Sequence, residues 1–102
     1  MFDKLFEAQQ KAEEIKKRLD TIYVTGDAEG GKIRVIANGN KQVSEITIDP
    51  EFLKSADKEE LEELLIVAVN KAMQQAEQVS QTEMQAATRD MFGGLGDLLG
   101  SK

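Results

Sequence analysis

The apolar positions of this chain follow one period at its two ends and another in its middle. Leu5, Ala8, Ala12, Ile15, Leu19 and Ile22 recur at spacings of three and four, a narrow stripe suited to one neighbouring helix. This predicts a first helix from Phe2 to about Leu19. From Thr21 to about Gly26 the residues Ile22, Tyr23, Val24 and Thr25 have the β-branched and aromatic content of a strand. Ile33 and Val35 then alternate with Lys32 and Arg34, and Ile46 and Ile48 alternate with Glu45 and Thr47. That period of two marks half-buried strands. Asn38-Gly39 between them predicts a type I′ hairpin turn, because both residues tolerate positive φ. Ala28-Glu29-Gly30-Gly31 supplies the preceding turn, and Pro50, which cannot donate a ladder hydrogen bond, closes the last strand. The middle of the chain therefore reads as a three-stranded antiparallel meander.

Beyond Pro50 the helical period returns. Phe52 and Leu53 are expected to tuck in as a short turn, and Asp57 with Glu60 reads as a helix cap and its return partner. Ser55 is the rival cap. Leu61, Leu65, Ala68, Ala72, Ala76 and Val79 form the core stripe of a second long helix. Leu64, Ile66, Val67, Val69 and Met73 make residues 64–73 apolar on further sides, which calls for burial against a second subunit in so short a chain. The interface residues expected are Leu65, Ala68, Val69, Ala72, Met73 and Ala76, although the pattern alone does not divide interface from subunit core. A helix from 58 to 89 would be roughly 48 Å long. A compact hundred-residue domain has a radius of gyration of only about 13 Å, so the far end must project or lie along a partner. The fold class is α+β, an α-β-β-β-α subunit. A single domain over 1–92 is followed by a tail, 93–102, made flexible by Gly93, Gly94, Gly96 and Gly100.

Composition narrows the function. There is no Cys and no His in 102 residues, which removes thiol and imidazole chemistry and most zinc or copper sites. Catalysis would rest on carboxylates, lysines or hydroxyls, and no convergent set of them is evident. The glycines at 30, 31 and 39 match no phosphate loop or dinucleotide fingerprint. No enzyme activity, cofactor, metal or small-molecule substrate is expected. No apolar run reaches the roughly 18 residues of a membrane span, and the start lacks a signal peptide's pattern, so the expected location is cytoplasmic.

The net charge is −6, which opposes nucleic-acid binding overall. The charge is unevenly placed, however. Residues 1–20 hold five basic and five acidic side chains, whereas Glu59, Glu60, Glu62 and Glu63 crowd one helical turn. Those glutamates are explained by the positive end of a helix dipole. Lys16-Lys17-Arg18 ends the first helix, where dipole complementation accounts for cations as well as a ligand would. Glu7, Glu13 and Glu14 precede Lys11, Lys17 and Arg18 by four residues, the favourable order for intrahelical pairs.

Several of these pieces resemble a known family when taken in order. Val24-Thr25-Gly26, the run KIRVIANG from Lys32, EITIDPEFL from Glu45 and Asn70-Lys71-Ala72 in the second helix are together similar to the YbaB/EbfC family of bacterial nucleoid-associated proteins. The resemblance implies a homodimer whose paired helices protrude like tweezers and bind duplex DNA in the nucleoid with broad or low sequence specificity. Carried onto this chain, the DNA contacts would be Lys11, Lys16, Lys17 and Arg18, with Lys71 and Arg89 on the second helix. The other reading is a protein-binding adaptor that docks partners on the polar helix arm and the apolar tail.

Overall fold

The computed structural model describes residues 2–100, with side chains described over 4–89. The chain runs α1 (Phe2–Asp20), β1 (Tyr23–Ala28), β2 (Ile33–Asn38), β3 (Val43–Ile48), α2 (Pro50–Ser55) and α3 (Lys58–Gly100). The three strands form one antiparallel sheet in the order β1-β2-β3, so the expected α+β meander with flanking helices is what the sequence builds. The expected flexible tail, 93–102, falls on residues whose side chains lie outside those described.

The strand alternation sets the core. Ile33, Val35 and Ala37 of β2 are wholly buried, with Val24 and Ala28 of β1 beside them. Across from them lie Ala68 and Ala72 of α3, also wholly buried. Small residues meet here on both sides. A Cβ built at Gly26 would sit 2.2 Å from the carbonyl oxygen of Ala68 and 2.4 Å from the amide nitrogen of Ala72. The helix backbone therefore rests directly on the backbone of β1, a spacing that only glycine under an alanine seam permits.

Two local expectations are corrected. Asn38-Gly39 does not make a type I′ turn: positive φ falls at Lys41 (65°), and neither Asn38 nor Gly39 has it. The Lys41 amide donates to the Asn38 carbonyl, and the Asn38 amide donates to the Gln42 carbonyl. This is a three-residue loop, a turn over Gly39-Asn40 followed by one left-handed residue. The Asn38 Oδ1 holds it by accepting from the amides of Asn40 (2.9 Å) and Gln42 (3.1 Å). A bulge in β3 opposite Ile36 and Ala37 then restores the inward direction of Val43.

The segment after β3 is a helix, α2, rather than a turn. Asp49 caps it by accepting from the Phe52 amide, and Pro50 occupies its first turn. Asp-Pro is itself a helix-start signal, since proline at N1 gives up no needed donor. Phe52 closes the end of the core, with the Lys32 ammonium 5.6 Å from its ring centre. Asp57, not Ser55, caps α3: its Oδ1 accepts from the Glu60 amide at 2.8 Å. The molecule measures 67 × 27 × 18 Å with a radius of gyration of 19.6 Å, well above the compact value of about 13 Å. The elongation comes from α3, which outruns the sheet.

Candidate functional site

Past the sheet, α3 is joined by α1, which runs back antiparallel along it. Arg18 lies by Glu83, and Lys11, seven residues earlier, lies by Ala86 and Ala87. The two helices make an arm, and the β2–β3 loop fixes that arm to the base. The Gly39 amide donates to the carbonyls of Leu19 and Ile22, both at 2.9 Å. A Cβ on Gly39 would lie 2.7 Å from the Leu19 side chain and 3.1 Å from its carbonyl oxygen, so the glycine serves close approach. Asn40 Nδ2 donates to the Lys16 carbonyl (2.8 Å) and to Asp20 Oδ1 (2.6 Å). Lys41 reaches the other way and forms an ion pair with Glu77 of α3. That ammonium holds the Glu77 carboxyl below its ordinary value, through its hydrogen bond first and its charge second.

All six cations expected to meet DNA are on this elongated part or its root, and all are exposed. They do not converge. Lys11 and Arg18 border one groove between α1 and α3, with Glu14, Ile15 and Glu83. Lys16 borders the opposite groove with Ala12, Asn40, Ser80 and Met84. Lys17 points outward beside Gln10, Glu13 and Glu14. The expected pair within α1 from Glu14 to Arg18 is replaced by one between helices, Arg18 Nε to Glu83 Oε2 at 3.1 Å. Lys71 and Arg89 are separated by about five turns of α3 and so lie on one line along it.

The expected interface residues divide. Ala68, Ala72 and Ala76 are completely buried within the subunit, so their surfaces are already spent on its own packing and are not free for another copy. Leu65, Val69 and Met73 pack against the same core but stay partly open. Apolar surface is left free elsewhere, in part beside the sheet: α3 covers β1 and β2, leaving β3 at the margin. Val43 and Ile46 point to the helix side of the sheet yet remain 45% and 50% exposed, and Ile66 of α3 is 60% exposed. The Lys41–Glu77 pair shows which flank of α3 faces β3, and helical spacing puts Ile66 and Met73 on that flank. Sequence reading missed β3 as a surface element because alternation identifies a face without saying what covers it.

The comparisons agree with this architecture. A Flavobacterium johnsoniae nucleoid-associated protein is 39% identical over 89 residues, covering 87% of this chain and 82% of that one. A Chlorobaculum tepidum nucleoid-associated protein is 35% identical over 105 residues, covering 94% and 93%. The crystal structure of an uncharacterised Helicobacter pylori protein superposes with a TM-score of 0.64 at 22% identity, over 76% of this chain and 90% of that one, a likeness of fold. Relatives of this kind are nucleoid-associated DNA-binding proteins rather than enzymes, and no helix among the described residues is long and apolar enough to cross a membrane. With the family profile matching residues 1–91, the chain belongs to the YbaB/EbfC DNA-binding family.

Proposed function

We propose that the protein is a homodimer that holds duplex DNA against its helical arms, in the nucleoid and with low sequence specificity. The observation that carries this reading is the arm itself: in a DNA-binding family, it carries Lys11, Lys16 and Lys17 exposed and free of the glutamate cluster at the start of α3. Lys71 and Arg89 extend the same basic character along α3, and Arg18 joins them when it leaves Glu83. Contacts of this type position a protein on phosphates without reading bases. A dimer doubles a charge that is already −6, so binding uses local patches and weakens with salt.

The second copy is proposed to cover Val43, Ile46 and Ile66, with Val69 and Met73 at the rim. These residues support the interface because the subunit leaves them open, two on the helix side of β3 and one on the flank of α3 that faces it. A two-fold contact there would place two arms in one assembly.

Gel retardation on several unrelated duplexes tests the DNA reading. Retardation of all of them is expected, lost between about 50 and 200 mM salt and weakened by Lys11, Lys16 and Lys17 all changed to Glu. Binding indifferent to both changes would remove the arm from the account. Sedimentation tests the assembly, with a dimer expected at micromolar concentration and a folded monomer the contrary result.

A further inference from the structure

From Leu64 to Arg89 the only acidic residues are Glu77 and Glu83. Each is ion-paired with a cation from another element, Glu77 with Lys41 and Glu83 with Arg18. This stretch of α3 therefore offers no unpaired carboxylate, in a chain whose overall charge is −6. Within it, Lys71, Gln74, Gln78, Gln81, Gln85 and Arg89 follow one another at spacings of three and four. That spacing puts them on one face of the helix. All six are exposed. The line extends about 27 Å at 1.5 Å per residue, the axial rise of about eight base pairs at about 3.4 Å each, enough to meet phosphates where strands of a duplex cross its path.

Helical phase sets this face apart from the other surfaces of α3. Ala68 and Ala72 face the sheet, Ala76 is wholly buried one turn further on, and Ile66 and Met73 take the flank toward β3. The glutamine line looks away from both. We infer that this face of α3, with a cation at each end and glutamine amides between, lies against the phosphates of duplex DNA. The inference rests on the DNA-binding reading and names the surface that performs it.

Three physical features favour a nucleic acid over a protein on this face. Between Lys71 and Arg89 the line has no large apolar side chain to act as the buried anchor of a protein interface, the nearest on this face, Val67, lying one turn before it. A basic protein would be drawn instead to Glu59, Glu60, Glu62 and Glu63 at the other end of the helix. Glutamine amides, finally, are among the side chains that donate hydrogen bonds to phosphate oxygens. An uncharged donor adds affinity without releasing counterions, so an acidic chain gains DNA contacts without a large basic patch. Gln81 also donates to Glu77 Oε1 (3.2 Å), which directs part of its amide toward that flank and leaves Gln74, Gln78 and Gln85 as the main donors.

The test uses the full chain with charges placed on and off this line. Gln78→Glu with Gln85→Glu is expected to weaken retardation of unrelated duplexes by about tenfold or more, since like charges are brought together. Gln78→Lys with Gln85→Lys is expected to tighten it and to steepen the salt dependence by about 0.9 per phosphate gained. Thr25→Lys with Thr47→Lys adds the same charge on the uncovered face of the sheet and is expected to do neither. Unchanged thermal melting would show that the fold survives in each variant, because every altered side chain is exposed. If the wild type retards DNA but the glutamate pair binds equally well, or the off-line lysines act as strongly as the on-line ones, the inference is overturned and DNA binding stands. If the wild type retards no duplex at either salt, both fail.

Discussion

The two halves of α3 are one continuous helix put to different uses. From Leu61 to Ala76 it is pressed onto the sheet, with three alanines wholly buried and its backbone in contact with Gly26. From Ser80 to Arg89 its neighbour is α1, and its residues are exposed or half-buried. The first half carries the packing that keeps the domain folded. The second half gives up that packing for reach. A helix of this kind separates stability from contact along its length, so substitutions in the two halves should be read by different assays.

The largest expected effect is steric. Gly26→Val should cost more than about 3 kcal/mol, because the added atoms meet backbone that cannot move aside. Thermal or urea unfolding would register it. Ala86→Val, which adds two carbons in the exposed half, should stay within about 1 kcal/mol by the same measurement, mostly from helix propensity. Equal costs would erase the distinction between the halves.

Gly39→Val comes next, at about 1–3 kcal/mol. Its sharper signature should be local: faster hydrogen exchange in α1 and in α3 beyond Ser80, with the sheet still protected. Uniform loss of protection would mean that arm and base unfold as one unit.

Glu83→Gln should cost little stability, about 0–1 kcal/mol, since the Arg18 end of the pair is well exposed and Gln can still accept from it. It frees Arg18, so DNA affinity should rise by a few fold, as for one additional charge-assisted contact. A fall in affinity would assign the Arg18–Glu83 pair an organising role instead.

The smallest effect is on pH dependence. Because Lys41 lowers the Glu77 value in the folded state, that pair's contribution is complete above the ordinary glutamate range. It is lost as pH falls through the lowered value. Lys41→Gln should remove this part of the acid sensitivity in melting curves recorded across the carboxylate range.

Much of this division was legible from residue order. The stripe from Leu61 to Val79 and the alternation around Ile33 and Val35 located the helix and strands, because burial on one face imposes a period on the chain. What the stripe packs against was not legible, since alanine is compatible with a subunit interface or with a strand at close range. Gly26 was the discriminating residue, yet its meaning depends on a helix more than forty positions later. Gly39 was misread for a related reason. Its neighbour Asn38 suggested a need for positive φ, whereas the need was for space beside Leu19. The glutamine line of α3 was visible as composition, and only its phase relative to Ala68 and Glu77 turns it into a face.

The loop from Gly39 to Lys41 has one more consequence. It is the fulcrum of a lever: one residue is bound to the end of α1, the next to its last turn, and the third to α3. Helix α1, with 19 residues, is about 28 Å long, so a tilt of about 10° at this fulcrum would carry its far end roughly 5 Å. In a two-fold assembly both levers would swing together and the gap would change by up to twice that amount. If the proposed dimer holds DNA between its arms, the width of that gap would be set by a few hydrogen bonds in a short loop at their root.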